Sequence, residues 1–255
     1  MPEGRVTLIS LAFGRFGSLD EDDAALLAEL PARTAQYAHG QKIAESVAQI
    51  TECSVLVAGM ALSTPGEDPF GPVTAVHVPA DAPDLEAVIT GRLDYDIVAQ
   101  GECLVQHVPA DVLWGMAEAS PRLAAALWRR TAMDARIHRA WLAAAHMSTT
   151  LRIAHLISEI HARLDRVGLT QNGSFRLPID QKDMSRILGI SRAHGNRSVQ
   201  TLRATGLIEW TKGRISIRNL AALHALAQFD PGYLSHVPAC KRALALRTVP
   251  DEPEF

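Results

Sequence analysis

Between residues 36 and 108 the apolar positions come in short runs, such as Ser54-Val55-Leu56-Val57 and Val73-Thr74-Ala75-Val76-His77-Val78, set between Pro and Gly breaks. Runs of that length, rich in Val, Ile and Thr, predict short strands separated by turns. From Asp111 to Arg166 the texture changes to Ala, Leu, Arg and Met, with no Gly or Pro after Pro121. That stretch predicts long helix, and Pro121 suits a first helical turn. Within it Leu123, Ala126, Arg130, Met133, Ile137, Ala140, Ala144 and Met147 recur at alternating spacings of three and four, a heptad seam that is apolar except at Arg130. Leu127 and Trp141 widen the stripe, so the pattern fits a helix packed on its own domain as well as one that pairs with its copy. We take the second reading and expect a dimer interface built from Leu123, Ala126, Met133, Ile137, Ala140, Ala144 and Met147. Met147-Ser148-Thr149-Thr150 interrupts the pattern with residues that cap helix starts, which places a hinge there and a second helix from about Leu151 to Arg166.

Beyond the loop Gly168 to Ser174, Phe175-Arg176-Leu177-Pro178-Ile179 reads as a short edge strand, because Pro cannot serve a central ladder. Asp180 is a good N-cap for a helix ending near Leu188, whose apolar face is Met184, Ile187 and Leu188. Gly189-Ile190-Ser191 makes a tight turn: Gly189 ends the first helix, Ile190 plugs the angle and Ser191 caps a second helix from about Arg192 to Ala204. That helix buries Val199 and Leu202 and presents Arg192, His194, Asn196 and Arg197. Gly195 inside it costs about 1 kcal/mol relative to Ala, a choice that makes sense where the backbone passes close to something. Leu207 to Trp210, then Thr211-Lys212-Gly213, then Arg214 to Ile217 predict a hairpin with a basic tip.

Charge sharpens this picture. Residues 1–147 hold 10 Lys/Arg against 19 Asp/Glu, whereas residues 148–255 hold 15 against 9, so the halves carry −9 and +6. Between 180 and 218, Lys182, Arg186, Arg192, Arg197, Arg203, Lys212, Arg214 and Arg218 face only Asp180, Asp183 and Glu209. A basic end on an acidic chain points to a polyanion partner for that end alone. Duplex DNA fits: Arg192 and Arg197 can donate bidentately to guanine, Asn196 to adenine, and His194 can reach a base or a phosphate. Ser191, Lys182, Arg203, Lys212 and Arg214 are the expected phosphate contacts. At 255 residues the chain has room for two domains without metal or disulfide staples. Cys53, Cys103 and Cys240 are odd in number and far apart, and read as buried thiols. No run approaches the roughly 20 apolar residues of a membrane span, and the amino terminus is a poor secretory signal, so no membrane partner and a cytoplasmic location are expected. No nucleophile with its base, Gly-rich phosphate loop or metal-spaced His/Cys group stands out, so no enzymatic role is expected.

The segments Leu151-Arg152-Ile153-Ala154-His155-Leu156, Leu177 to Met184, Leu188-Gly189-Ile190-Ser191, Asn196-Arg197, Leu202-Arg203, Gly206 to Trp210 and Phe229 to Leu234 resemble the Crp/Fnr family of bacterial transcription regulators. The resemblance is clear from about Pro109 onward. It implies an α+β chain with an N-terminal β-roll, a jelly roll like those that bind cyclic nucleotides, followed by a long dimerisation helix and a C-terminal winged helix-turn-helix. The expected boundaries are 1–120, 121–147 and 148–255. By the same resemblance Arg192 and Arg197 fall on base-reading positions, while Ala193 stands where many members place a glutamate, so a different operator is expected. It also implies a homodimer and RNA polymerase as a partner, with a small-molecule effector at the sensor end.

The N-terminal half departs from the family pattern. In place of the turn and the Arg that hold a cyclic nucleotide, this chain has Ala82-Pro83-Asp84-Leu85-Glu86 and Asp94-Tyr95-Asp96, with Arg92 the only nearby cation. Carboxylates there would repel a phosphate, so cyclic AMP is not expected. The cysteine cluster of iron-sulfur sensors is absent, so that cofactor is not expected either, and the effector is open. His77 and His107 are candidate haem ligands, but a lone His in a strand-rich domain is more often structural. The competing function is a ligand-binding or interaction module whose winged helix contacts protein through the apolar side of the hairpin.

Overall fold

The computed structural model describes residues 9, 12–13, 19–46, 49–66 and 71–235. It is an α+β chain: an antiparallel β-roll, two long helices and a small three-stranded sheet carrying a helix-turn-helix. A short helix α1 (Glu21–Ala28) precedes the roll, closed by a capping box between Asp20 and Asp23. The spine of the roll is β3 (Glu52–Thr64) paired along its length with β5 (Asp96–Pro109). On the far side of β5 lie β1 (Arg33–Tyr37) and β2 (Lys42–Ala44), and β4 (Ala75–His77) extends β3.

The expected short strands are therefore partly replaced by two long ones. At Ala58–Gly59 the register shifts instead of turning. Gly59 has φ +87°, and a Cβ there would lie 2.4 Å from the Glu102 carbonyl oxygen, so only glycine permits the strand to continue past β5. The punctuation that predicted a turn is a bulge. A short helix α2 (Leu85–Thr90) also interrupts the strand-rich region.

Helix α3 (Ala110–Ala119) leads to α4 (Pro121–Ala144). The Ser120 hydroxyl accepts the Leu123 N–H at 3.3 Å and Pro121 starts the helix. The same hydroxyl donates to Asp23 at 2.6 Å, fixing α1 to the start of α4. After a turn, α5 (Thr149–Asp165) begins behind its N-cap Ser148, two residues before the expected start.

The heptad seam of α4 is used inside the protomer. Leu123, Ala126, Met133, Ile137 and Ala144 are buried against the chain's own roll, α5 and winged helix, and Ala140 and Met147 are half-buried. Five of the seven positions expected in a dimer interface are thus buried by the chain itself, while Ala140 and Met147 keep part of their surface: the spacing marks a buried face. Arg130 fits because it is not alone. Its guanidinium donates to Asp134 at 2.7 Å and to Asp81 of the roll at 3.1 Å. The exposed face of α4 instead carries Trp128, 76% exposed, and Leu142, 70% exposed, with Ala132 and Ala135 between them.

One apolar core runs from the roll (Met60, Val76, Val78) through Met133 and Ile137 into Ile157, Leu202 and Ile215. The strand β6 (Ser174–Arg176) pairs with β8 (Arg214–Ile217), which pairs with β7 (Ile208–Thr211). Then α8 (Leu220–Ala227) and a 3-10 turn (Pro231–Leu234) pack back on α5 and α4, where Arg136 donates to the Ser235 and Gly232 carbonyls at 2.9 and 3.0 Å. Cys53 and Cys103 are buried free thiols, as expected, while Cys240 lies outside the described residues.

Candidate nucleic-acid interface

The helix-turn-helix is α6 (Gln181–Leu188) and α7 (Arg192–Ala204). Asp180 accepts the Asp183 N–H at 2.8 Å, and the Asp183 carboxylate accepts the Asp180 N–H, a capping box that fixes the start of α6. Gly189 ends α6 at φ +63°, and Ser191 caps α7 by accepting the His194 N–H at 3.3 Å. Arg152 of α5 donates to the Leu188 carbonyl at 2.8 Å, satisfying the end of α6. The close approach anticipated for Gly195 is between the two helices: a Cβ there would sit 3.1 Å from Ser185 Oγ and 3.5 Å from Ile190. A larger residue would push α7 off α6.

On α7, Arg192, Ala193, His194 and Arg197 are exposed, as are Gln200, Thr201 and Arg203. His194 shares a hydrogen bond of 2.8 Å with Thr149 Oγ1, which ties α7 to the start of α5. Asn196 departs from the expectation. It is half-buried, and its Oδ1 is enclosed with no hydrogen-bond partner among the described residues. The four residues span more than one turn of helix, and a helix cannot turn all of them outward at once.

Of the expected phosphate contacts, Ser191 and Lys182 line a cleft of about 420 Å³ together with Arg186 and Arg192. Arg203 and Lys212 line a second, of about 340 Å³, between α7 and the wing. Lys212 and Gly213 form the wing tip at φ +49° and +72°, the two positive values a tight two-residue hairpin turn requires. Arg214 is exposed beside them, and Arg218 pairs with Glu209 at 2.5 Å, cancelling the wing's carboxylate. The apolar side of the hairpin, Ile208, Ile215 and Ile217, is buried in the core and is not a surface.

Sequence reasoning missed the network that joins the roll to α4 and α5. Asp81 binds Arg163 of α5 at 2.5 Å as well as Arg130 of α4. Arg163 reaches Glu159 at 3.1 Å, and the buried Glu159 also accepts from Trp141 at 3.0 Å and Tyr233 at 2.6 Å. Burial opposes charge on Asp81, yet Arg163 and Arg130 outweigh it and bring its carboxyl down to about 2. An Arg in an otherwise apolar seam was the one visible signal of this network.

A cavity of about 290 Å³ lies between the roll and α4, lined among others by His77, Glu86, Asp94, Tyr95, Asp134 and Arg163. Asp96 is elsewhere, holding Lys42 at 3.1 Å and the Ser46 N–H at 2.7 Å, and the cavity's cation is Arg163 rather than Arg92. Burial raises the Asp134 carboxyl and lowers His77 to about 3. His77 shares a bond with Ser63 at 2.7 Å and His107 one with Tyr37 at 2.8 Å, so both are held by the roll.

Residues 151–226 match the family of Crp-like helix-turn-helix domains. No curated protein matches the sequence. Among solved structures the chain is similar to FixK2 from Bradyrhizobium japonicum, at 22% identity and a TM-score of 0.67 over 77% of this chain and 98% of that one. It is similar to TTHB099, a CRP-family transcriptional regulator from Thermus thermophilus, at 17% identity and 0.61, over 80% and 100%. A third is TTHA1359, a CRP/FNR-family regulator from the same organism, at 16% and 0.51, over 77% and 99%. At such identities the likeness speaks for the fold.

Proposed function

The chain has the fold of the Crp/Fnr regulators and carries a Crp-like helix-turn-helix domain, and on that premise we propose that it is a transcription regulator that binds duplex DNA as a homodimer. The observation that carries the reading is the exposed pair Arg192 and Arg197 on α7, flanked by Ser191 and Lys182 on one side and by Arg203, Lys212 and Arg214 on the other. Arg192 and Arg197 read bases, His194 serves a phosphate or base next to the hinge, and the flanking groups hold the backbone. Ala193 offers no polar group, so cytosine at that position goes unread.

Two recognition helices enter successive major grooves when they sit about 34 Å apart, which requires a second copy. The surface suited to it is the exposed face of α4, where Trp128, Ala132, Ala135 and Leu142 recur at spacings of four, three and seven. The three parts are then a sensor roll, the dimer helix and the DNA-binding domain, with RNA polymerase as the downstream partner. An effector acts at the cavity between roll and α4. Its lining of Glu86, Asp94 and Asp134, against a cation already engaged by Asp81 and Glu159, disfavours cyclic AMP and other anionic nucleotides.

Arg197→Ala tests the reading. It should abolish specific binding in an anisotropy titration while sedimentation still shows a dimer; unaltered affinity would defeat the assignment. The reading of the winged helix as a protein-contact module loses its proposed surface, because the apolar side of the hairpin is buried.

A further inference from the structure

Two residues of the β-roll hold the first helix of the helix-turn-helix from outside its own domain. Gln100 of β5, only 5% exposed, donates from Nε2 to the Pro178 carbonyl at 2.8 Å and to Asp183 Oδ2 at 2.6 Å. Asp183 belongs to the capping box that starts α6, so the amide contacts the residue that fixes this helix. One turn further along, Arg186 donates from Nε to the Gly71 carbonyl at 3.0 Å. These partners are 78, 83 and 115 residues apart in the chain. Gln100 sits beside the bulge at Ala58–Gly59, so the irregular strand puts its side chain under the winged helix. An amide has two N–H donors, and here both go to the DNA-binding half. Its burial is compensated only while α6 is docked.

The docked roll also borders the interface. Gly71 and Pro72 line the same cleft as Lys182, Ser191 and Arg192, the groups proposed to meet a phosphate. A DNA backbone approaching the start of α7 meets that roll segment. We propose that Gln100, with Arg186–Gly71 as a second tie, is a latch that holds the winged helix on the roll and restrains DNA binding, so that regulation acts by releasing it. The inference rests on the DNA-binding reading above for its direction. The Asp81–Arg163 ion pair separately ties the roll to α5, which packs against α7.

The test uses the full chain with Gln100→Leu, which keeps volume and removes the donors, and Gln100→Glu, which sets a second carboxylate against Asp183. Gln106→Ala, on the same strand with no bond to the winged helix among the described residues, is the control. Hydrogen exchange in α6 and around Gly71, and affinity for a duplex that the wild-type protein selects from a random pool, are the two readouts. Both variants should exchange faster at these segments and bind the duplex about tenfold more tightly, the loss expected for one bond to a charged group. Unchanged exchange overturns the latch, and faster exchange with weaker binding overturns its restraining role. Should Gln100→Leu not fold, Arg186→Met breaks the second tie and must show the same faster exchange. If the wild-type protein selects no duplex, the DNA-binding reading falls, while exchange alone still decides whether Gln100 holds α6.

Discussion

Asp84 lies wholly inside the roll, where its carboxylate accepts the Ser54 N–H at 2.7 Å and burial pushes its carboxyl up to about 6. Three residues earlier Asp81 is driven the other way by two guanidinium groups. The two acids give opposite pH signatures. A carboxyl raised in the fold binds its proton more tightly than in the unfolded chain, so its contribution is full below about pH 4 and is lost as pH rises through about 6. The lowered Asp81 contributes above about pH 4 and loses that contribution as pH falls toward 2. Asp84→Asn should therefore flatten the decline in stability between about pH 4 and 6 and leave the variant more stable near neutrality, by about 1–3 kcal/mol, in urea melts at several pH values. An unchanged pH slope would contradict the assignment. Arg130→Met should cost about 3 kcal/mol, because the buried Asp81 and the half-buried Asp134 are left with one cation fewer. A chemical melt within experimental error of wild type would show that the network is not what joins roll and helix.

Helix α4 has one face in the shared core and one exposed face, the second being the proposed dimer surface. Met133→Ala empties space in the shared core and should lower stability by about 2–5 kcal/mol without changing the oligomeric state. Trp128→Glu touches no core and should leave the unfolding midpoint of the protomer near wild type while sedimentation shifts to monomer. A dimer that survives Trp128→Glu would move the interface elsewhere. These two faces also show where the sequence stops being readable. Heptad spacing reports that a face is buried, and it is silent on whether the same chain or a copy buries it. The helix-turn-helix was legible almost residue by residue, because its caps at Asp180 and Ser191, its left-handed Gly189 and the close contact at Gly195 obey local rules. Asn196 was not, since its burial depends on how α7 packs in three dimensions.

Across the whole molecule, the roll and the winged helix share one core and meet through contacts such as Arg163–Asp81 and Gln100–Asp183, which span 82 and 83 residues and leave no mark on local pattern. The charge asymmetry was readable at this scale, and it sets the salt dependence expected of the proposed DNA binding. With cations spread over α6, α7 and the wing, log affinity should fall linearly with log salt, with a slope of about −0.9 for each phosphate neutralised. Lys212→Ala should reduce that slope by about 1, and a flat salt series would exclude phosphate contacts by the wing. Sequence-specific binding by a dimer is tested by selecting duplexes from a random pool with the wild-type protein and with Arg197→Ala. The wild-type protein should enrich two related half-sites with centres about 10–10.5 base pairs apart, and Arg197→Ala should lose that enrichment. Enrichment of a single site, of no sequence, or of the same sequences by both proteins would contradict it.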